Sequence, residues 1–311
     1  MKIDDYRKKV FLKLYKKQVA FFDTKSKFGN TIGYEKYFNK VLQELEPDFL
    51  EVLDNLKTEK KNLQKKYGLF NNIYVMWWQG LQNAPILIQN NIKRMQKIFG
   101  KNNVHIITQE NWKEWCSLSD IVIRKFNDRK ISITALSDVI RFNLLKNYGG
   151  LWIDSTVILN DNCKDLLFKY KDSAFFSISN RDQDYHYISK SRWTTWLIGG
   201  ETSYPLFNFI DAFYNMYFSK HDFLIDYYTT DDLIAFYYKN NMEFKKDVNS
   251  SSNNWHPYLW SNNLNELYDK KFMDKVKYNT LYSIQKLTYK YDKDIANNKK
   301  TLLYAIINNN F

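Results

Sequence analysis

The chain of 311 residues carries only two cysteines and four histidines. Cys116 and Cys163 show no metal-ligand spacing, so the expectation is reduced thiols in a reducing compartment. His105, His186, His221 and His256 are scattered, and no HExxH or similar zinc pattern links them. No run approaches the roughly 18 uninterrupted apolar residues of a membrane span, and MKIDDYRKKVFLKLYKK at the start lacks a secretory apolar region and cleavage site. The protein is therefore expected in the cytoplasm. Zinc-finger and RNP-type aromatic motifs are missing as well, and so are internal repeats and any clear linker.

What is present suits a folded globular protein: 44% hydrophobic residues, 26% charged, and an unusually aromatic 18%. This length can bury a full core. The formal net charge of +12 calls for an anionic partner, which leaves nucleic acid, an anionic membrane surface or a phosphorylated small molecule. Because the lysines are spread along the chain and no nucleic-acid motif occurs, nucleic acid is the weakest of the three.

From Asp4 to about Phe22, apolar residues at Tyr6, Val10, Phe11, Leu14, Tyr15 and Phe22 alternate with lysines at helical spacing. Two readings stay open: a basic amphipathic helix resting on a membrane, or a helix packed on the domain with a solvated lysine face. A second helix is expected from about Tyr34 to Lys66. NNIYVMWWQG reads as a buried strand, PILIQNNIKRMQKIFG as a helix opened by Pro85 and stopped at Gly100, and NVHIIT as the next strand. A short NWKEW helix and the segment DIVIRKF lead to a long helix from about Ile133 to Asn147, stopped by Gly149 and Gly150. LWIDS follows as a strand.

The second half repeats the pattern with SAFFSIS, RWTTWLIGG, a helix from about Pro205 to Phe218, and a Tyr-rich helical stretch from about Asp222 to Asn240. DVNSSSNNWHP reads as a mobile loop, followed by a helix near Leu264 to Phe272 and a short segment SIQKLTYK. Alternation of this kind predicts an α/β fold, a mostly parallel sheet with helices on both faces. Ligands gather at the carboxyl ends of such strands, where WWQG and IDST lie.

LSDVIRFNLLKNYGGLWIDST, residues 136–156, sets an acid, a base and another acid in the most hydrophobic neighbourhood of the chain. On a helical wheel Asp138 and Arg141 share a flank beside the stripe Ile133, Leu136, Ile140 and Leu144. A bare i,i+3 ion pair is one reading, worth a few tenths of a kcal/mol. The other is functional: the next strand delivers Asp154 to the sheet end, and the three charges converge on one crevice. Buried charges are tolerated when a charged, hydroxyl-rich ligand completes their pairing.

The pattern S-D-x-x-R-x-x-L-L-x-x-Y-G-G-x-W-x-D-x-T resembles the capsular polysaccharide synthesis proteins. These are grouped with the DXD-type sugar transferases, glycosyltransferase family 32 and the large glucosylating toxins. WWQGLQNAPILIQNNIKRM, HIITQENW and KLTYK match in the same order. The resemblance implies a GT-A fold, with a Rossmann-like sheet binding a nucleotide sugar. It would occupy residues 71–311, after an added N-terminal helical segment at 1–70. It further implies Trp78 against the base, with Gln79 and Gly80 along the uridine, and Asp138 and Arg141 on the donor sugar and phosphate. Ser137, Gly149 and Gly150 lie beside them. Asp154 matches the first acid of the DXD motif, and Thr156 stands where the second acid would be.

Charge on a diphosphate leaving group is usually neutralised by Mg²⁺ or Mn²⁺. The resemblance thus implies a divalent cation on Asp154, with His256 as a candidate second ligand; a loop histidine with no catalytic duty is the alternative reading of His256. The substitution at Thr156 removes one hard ligand from that set. On the acceptor side the expected residues are Trp193 and Trp196, whose rings suit a saccharide although most of the aromatic residues read equally as core or core edge, and Asp231 and Asp232. For the two acids, a solvated helix face is the alternative reading and the favoured one.

The expected function is transfer of a hexose from a nucleotide diphosphate sugar, UDP-linked, to a saccharide hydroxyl in capsular or cell-surface polysaccharide synthesis; the resemblance implies retention, and an inverting route, which would need a carboxylate base near the acceptor, stays open. The acceptor is expected to be lipid-linked, with the enzyme in peripheral contact with an anionic inner leaflet. The rival readings are a non-catalytic binder of nucleotide sugars or saccharides, and a basic nucleic-acid-binding protein.

Overall fold

Strand β1 (Ile73–Met76) lies between β2 (Val104–Ile107) and β3 (Gly150–Ile153), parallel to both. Beyond β3 come β6 (Leu197–Gly200), β5 (Phe175–Asn180) and the edge strand β7 (Ser252–Trp255). β6 is antiparallel to its two neighbours and β7 is parallel to β5, so five of the six strands run one way. The computed structural model describes residues 3–58, 68–269, 271 and 280–308. A separate two-stranded sheet pairs β4 (Val157–Leu159) with β8 (Ile284–Lys286), antiparallel.

Successive strand residues face opposite ways, which gives the sheet two cores. Tyr74, Trp152 and Ile198 are buried under α6 (Ile133–Tyr148), α8 (Pro205–Lys220) and α9 (Thr229–Asn240). Val75, Ile153 and Leu197 are buried on the other side, under α3 (Ile86–Phe99) and α7 (Cys163–Phe168). Helices thus cover both faces, as the alternation predicts. Both cysteines are buried and free, and burial pushes the Cys116 thiol up to about 12.

The helix that carries Asp138 and Arg141 is fixed at each end. Ser132 accepts the Ala135 N–H at its start, a cap that stabilises by about 1 kcal/mol. At its other end Gly149 and Gly150 have φ of +62° and +100°. A Cβ on Gly149 would meet the Thr202 nitrogen at 2.6 Å, and one on Gly150 the Asn72 oxygen at 2.3 Å. These glycines let the chain pass from helix to strand against neighbouring backbone.

The N-terminal helices α1 (Ile3–Lys25) and α2 (Thr31–Thr58) share the α8–α9 core. The Phe49 ring lies 4.5 Å from Phe236 and 5.4 Å from Phe213, centre to centre. The buried face of α1 is Asp5, Leu12 and Val19, whereas Tyr6, Phe11, Leu14, Phe21 and Phe22 are exposed. Of the apolar residues that the spacing picks out, Tyr15 packs against the core and Val10 is half-buried, while Tyr6, Phe11, Leu14 and Phe22 stay in solvent. His221 at the end of α8 ties both helices down, with Nδ1 2.9 Å from Asp5 and Nε2 3.3 Å from Asp48.

Several segments depart from expectation. NWKEW forms the expected short helix, α4 (Trp112–Trp115), but DIVIRKF is helical within α5 (Asp120–Asn127), and Pro85 caps α3 from outside. Of the stretch from Asp222 to Asn240, only α9 is α-helical. DVNSSSNNWHP is helix and strand and not a loop: its first half ends α10 (Met242–Ser250), where Ser250 and Ser251 both donate to the Asp247 carbonyl, and its second half supplies β7. An edge strand pairs through its backbone, so it forms here without an apolar pattern. Leu264 to Asp269 is turn and isolated bridge, and Phe272 lies outside the described residues, as do 59–66 of the expected second helix.

Candidate functional site

Asp154 follows β3 at its carboxyl end, and a tight turn, with Val157 N–H donating to the Asp154 carbonyl at 2.9 Å, leads into β4. Asp154 Oδ1 accepts from the Trp152 indole at 2.8 Å and from Arg141 Nη2 at 3.3 Å. Arg141 Nη1 donates to Asp138 Oδ1 at 2.6 Å, and its guanidinium lies 4.8 Å from the Trp152 ring centre. At 5% exposed, Arg141 is no surface partner in an i,i+3 pair. Its Nε–H, also buried, has no partner among the described residues.

A fourth charge arrives from β8. The β4–β8 register sets Lys286 opposite Val157, and the adjacent Leu287 N–H donates to the Thr156 carbonyl at 3.0 Å. From there Lys286 Nζ reaches Asp154 Oδ2 at 2.6 Å and Thr156 Oγ1 at 2.7 Å. The result is an alternating chain, Asp138–Arg141–Asp154–Lys286.

Environment separates the two acids. Burial raises Asp138 above the usual carboxylate range, against the pull of Arg141. Burial would raise Asp154 as well, but Lys286 and Arg141 outweigh it and hold its carboxyl below that range. Asp154 is therefore the fixed negative charge, and Asp138 the one whose protonation is open to adjustment.

All four residues line one cavity of about 1010 Å³. It is large enough for a ligand of more than drug-like size. Thus Asp138, Arg141 and Asp154 meet in one open cleft. A second cavity of about 550 Å³ abuts it, and Thr134, Asp138 and Tyr227 line both. Lys9, Lys13, Lys16 and Lys17 of α1 collar this second space, with Phe218, Phe223 and Ile225 among its apolar lining.

A sequence model of the family described as capsular polysaccharide synthesis protein matches residues 18–306, which contain the whole charged chain. The chain belongs to that family. Its place is therefore in polysaccharide synthesis. No curated protein and no solved structure matches it.

In this capsular polysaccharide synthesis protein the other expected site residues fall into four groups. Trp193, Trp196, Asp231 and His256 line the larger cavity with the charged chain. Trp78, Gln79 and Gly80 follow β1 at the same sheet end as Asp154 but do not line that cavity; the Trp78 ring rests on Phe126, 5.5 Å away. Gly149 and Gly150 sit at the amino end of β3, away from the cleft, so close packing accounts for them and donor contact does not. Ser137 is half-buried on α6 and is not in the cavity lining.

The solvated-face reading of Asp231 and Asp232 does not hold. Asp232 is 2% exposed, its Oδ2 is unpartnered among the described residues, and it does not line the larger cavity. Asp231 accepts from the Trp193 indole at 2.9 Å and faces the cavity; burial pushes its carboxyl up to about 6. Trp196 donates its indole N–H to Tyr258 Oη at 3.2 Å, with the Lys286 ammonium 5.7 Å from its ring centre.

A divalent cation on Asp154 would meet one carboxylate, one hydroxyl and an ammonium already bonded to both. Hard cations take several oxygen ligands and keep clear of positive neighbours, so these residues do not fit one. His256 turns Nδ1 toward Asp182, at 3.5 Å. Among the described residues no group of three or more His, Cys, Asp or Glu side chains is arranged to hold a metal ion. Lys286 is the site residue that sequence alone does not single out, and the signal for it is its place at the head of the KLTYK motif.

Proposed function

We propose that this protein is a retaining glycosyltransferase of GT-A type, moving a hexose from a nucleotide diphosphate sugar, UDP-linked, to a hydroxyl of a saccharide acceptor. One observation carries the reading: two half-buried acids alternate with two cations, one of them the buried Arg141, around a large open cavity at the carboxyl ends of parallel strands. This is where α/β sheets bind ligands. Arg141 offers planar donors to a phosphate oxygen, and Asp138 accepts bonds from sugar hydroxyls. The WWQG turn at the same sheet end takes the base. Trp196, half-buried at the cavity wall, offers a ring face to the acceptor sugar, and Asp231, held by the indole of the buried Trp193, orients its hydroxyl.

The adjoining lysine-collared cavity supports a lipid-linked acceptor. Apolar walls under an ammonium collar suit a chain that ends in phosphate, and Asp138, common to both cavities, is where its sugar would meet the donor. The exposed aromatic and lysine side chains of α1 support peripheral contact with an anionic membrane. Among the described residues no helix is long and apolar enough to cross one.

A melting-temperature panel of nucleotide sugars tests the donor half of this reading. A ligand that binds only the folded state raises the midpoint, by about 2.7 kcal/mol of stabilisation at a hundred times its dissociation constant. One UDP-sugar is expected to give the largest shift, and Arg141→Ala to abolish it. No shift from any nucleotide sugar would remove the reading.

A further inference from the structure

We infer that the Lys286 ammonium takes the place of a divalent cation at Asp154, so that Lys286 and Arg141 neutralise the departing diphosphate without a metal ion. The inference rests on the glycosyl-transfer reading above and adds to it the cation that serves the leaving group.

Three features of the site carry it. Lys286 Nζ lies within 2.7 Å of both Asp154 and Thr156, the first and last positions of the D-S-T turn. With Thr in the second place, an ion there would have a single carboxylate, whereas an ammonium is satisfied by one carboxylate and one hydroxyl. An ammonium has three N–H donors; two are used, and among the described residues the third meets no hydrogen-bond acceptor, only the Trp196 ring, 5.7 Å away at its centre. Lys286 also lines the cavity, so that N–H is available to a guest.

The position is built into the fold. The β4–β8 pairing fixes Lys286 against Val157, the Lys286 N–H donates to the Pro257 carbonyl at 2.7 Å, and Asp154 is held from its other side by Trp152 and Arg141. The cation is thus preorganised, as electrostatic stabilisation of a leaving group requires.

In the step itself the bond between the anomeric carbon and the diphosphate oxygen breaks, and its electron pair stays on that oxygen. The acceptor oxygen bonds to the anomeric carbon, and its proton passes to the released diphosphate. The negative charge gained by the diphosphate is met by the free Lys286 N–H and by Arg141.

The test uses the full chain. UDP-sugar turnover is measured in EDTA and in Mn²⁺, and Mn²⁺ binding is followed by electron paramagnetic resonance with and without UDP. Equal turnover in both conditions and no Mn²⁺ bound are expected, with a loss of about tenfold or more in Lys286→Met and partial recovery in Lys286→Arg. Turnover lost in EDTA and restored by Mn²⁺ overturns the inference and leaves the glycosyl-transfer reading standing. Should no UDP-sugar be turned over in either condition, that reading fails, and the resonance signal still decides: Mn²⁺ bound by the wild type and released in Asp154→Ala contradicts the inference. The wild-type arms do not depend on whether any variant folds.

Discussion

Trp193 donates its indole N–H to an Asp231 carboxylate oxygen at 2.9 Å, joining the loop before β6 to the start of α9 at the wall of the larger cavity. The bond helps the ionised form, yet burial dominates and leaves Asp231 titrating at about 6. An acid that orients an acceptor hydroxyl works as the carboxylate, so turnover is expected to rise with pH through about 6. Asp231→Asn should flatten that limb of the profile and lower turnover by about tenfold to a thousandfold. A profile unchanged in the variant would free Asp231 of this role.

Arg141 binds two carboxylates at once, and its replacements should separate charge from shape. Arg141→Ala leaves Asp138 and Asp154 without a shared partner and is expected to lower stability by about 3–5 kcal/mol. Arg141→Lys keeps the charge but loses the planar fork, so donor turnover should fall while less of the melting temperature is lost. Denaturant unfolding and UDP release on the same preparations check both. Equal turnover in Arg141→Lys and wild type would mean that the fork is not used.

His221 makes the docking of the N-terminal helices sensitive to pH. Burial lowers its pKa, but Asp48 and Asp5 outweigh burial and raise it above 6.5. The folded form therefore holds the proton more tightly than the unfolded form. That stability is present in full below the unfolded value and is lost as pH rises through the folded one. Melting temperatures from about pH 6 to about pH 9 should fall more steeply in the wild type than in His221→Gln. Parallel curves would assign the pH dependence elsewhere.

The exposed face of α1 predicts attachment to anionic vesicles. Flotation with phosphatidylglycerol vesicles should carry the full chain, and Phe11→Ser with Leu14→Ser and Phe21→Ser should reduce it at low salt. Both proteins are expected to stay behind with neutral phosphatidylcholine vesicles. Equal flotation of wild type and variant on anionic vesicles would remove α1 from the contact.

The part of the fold that was legible in the sequence is the part with local signals. Apolar runs bounded by Asn and Gly mark β1 and β3, and helix periodicity with a glycine stop marks α3 and α6. These elements bring Asp138, Arg141 and Asp154 to one sheet end. Lys286 was not legible because its partner lies 132 positions away, and only the β4–β8 register joins them. β4 itself is three residues long and gives no periodic signal. The polar Asn/Ser segment hides a strand because edge pairing uses backbone groups, which composition does not report. For α1, most of the apolar residues that stand out in the sequence are left in solvent, and a narrower stripe of Leu12 and Val19, with Tyr15 beside it, makes the core contact.

The most direct measurement is release of UDP from a panel of UDP-sugars by the full chain, compared with Asp138→Asn and Asp154→Asn variants shown to be folded by their melting curves. The account predicts that one sugar nucleotide is split by the wild type, and that each variant is slower by about a hundredfold. No release from any donor by the wild type, or release at wild-type rates by both variants, would contradict it.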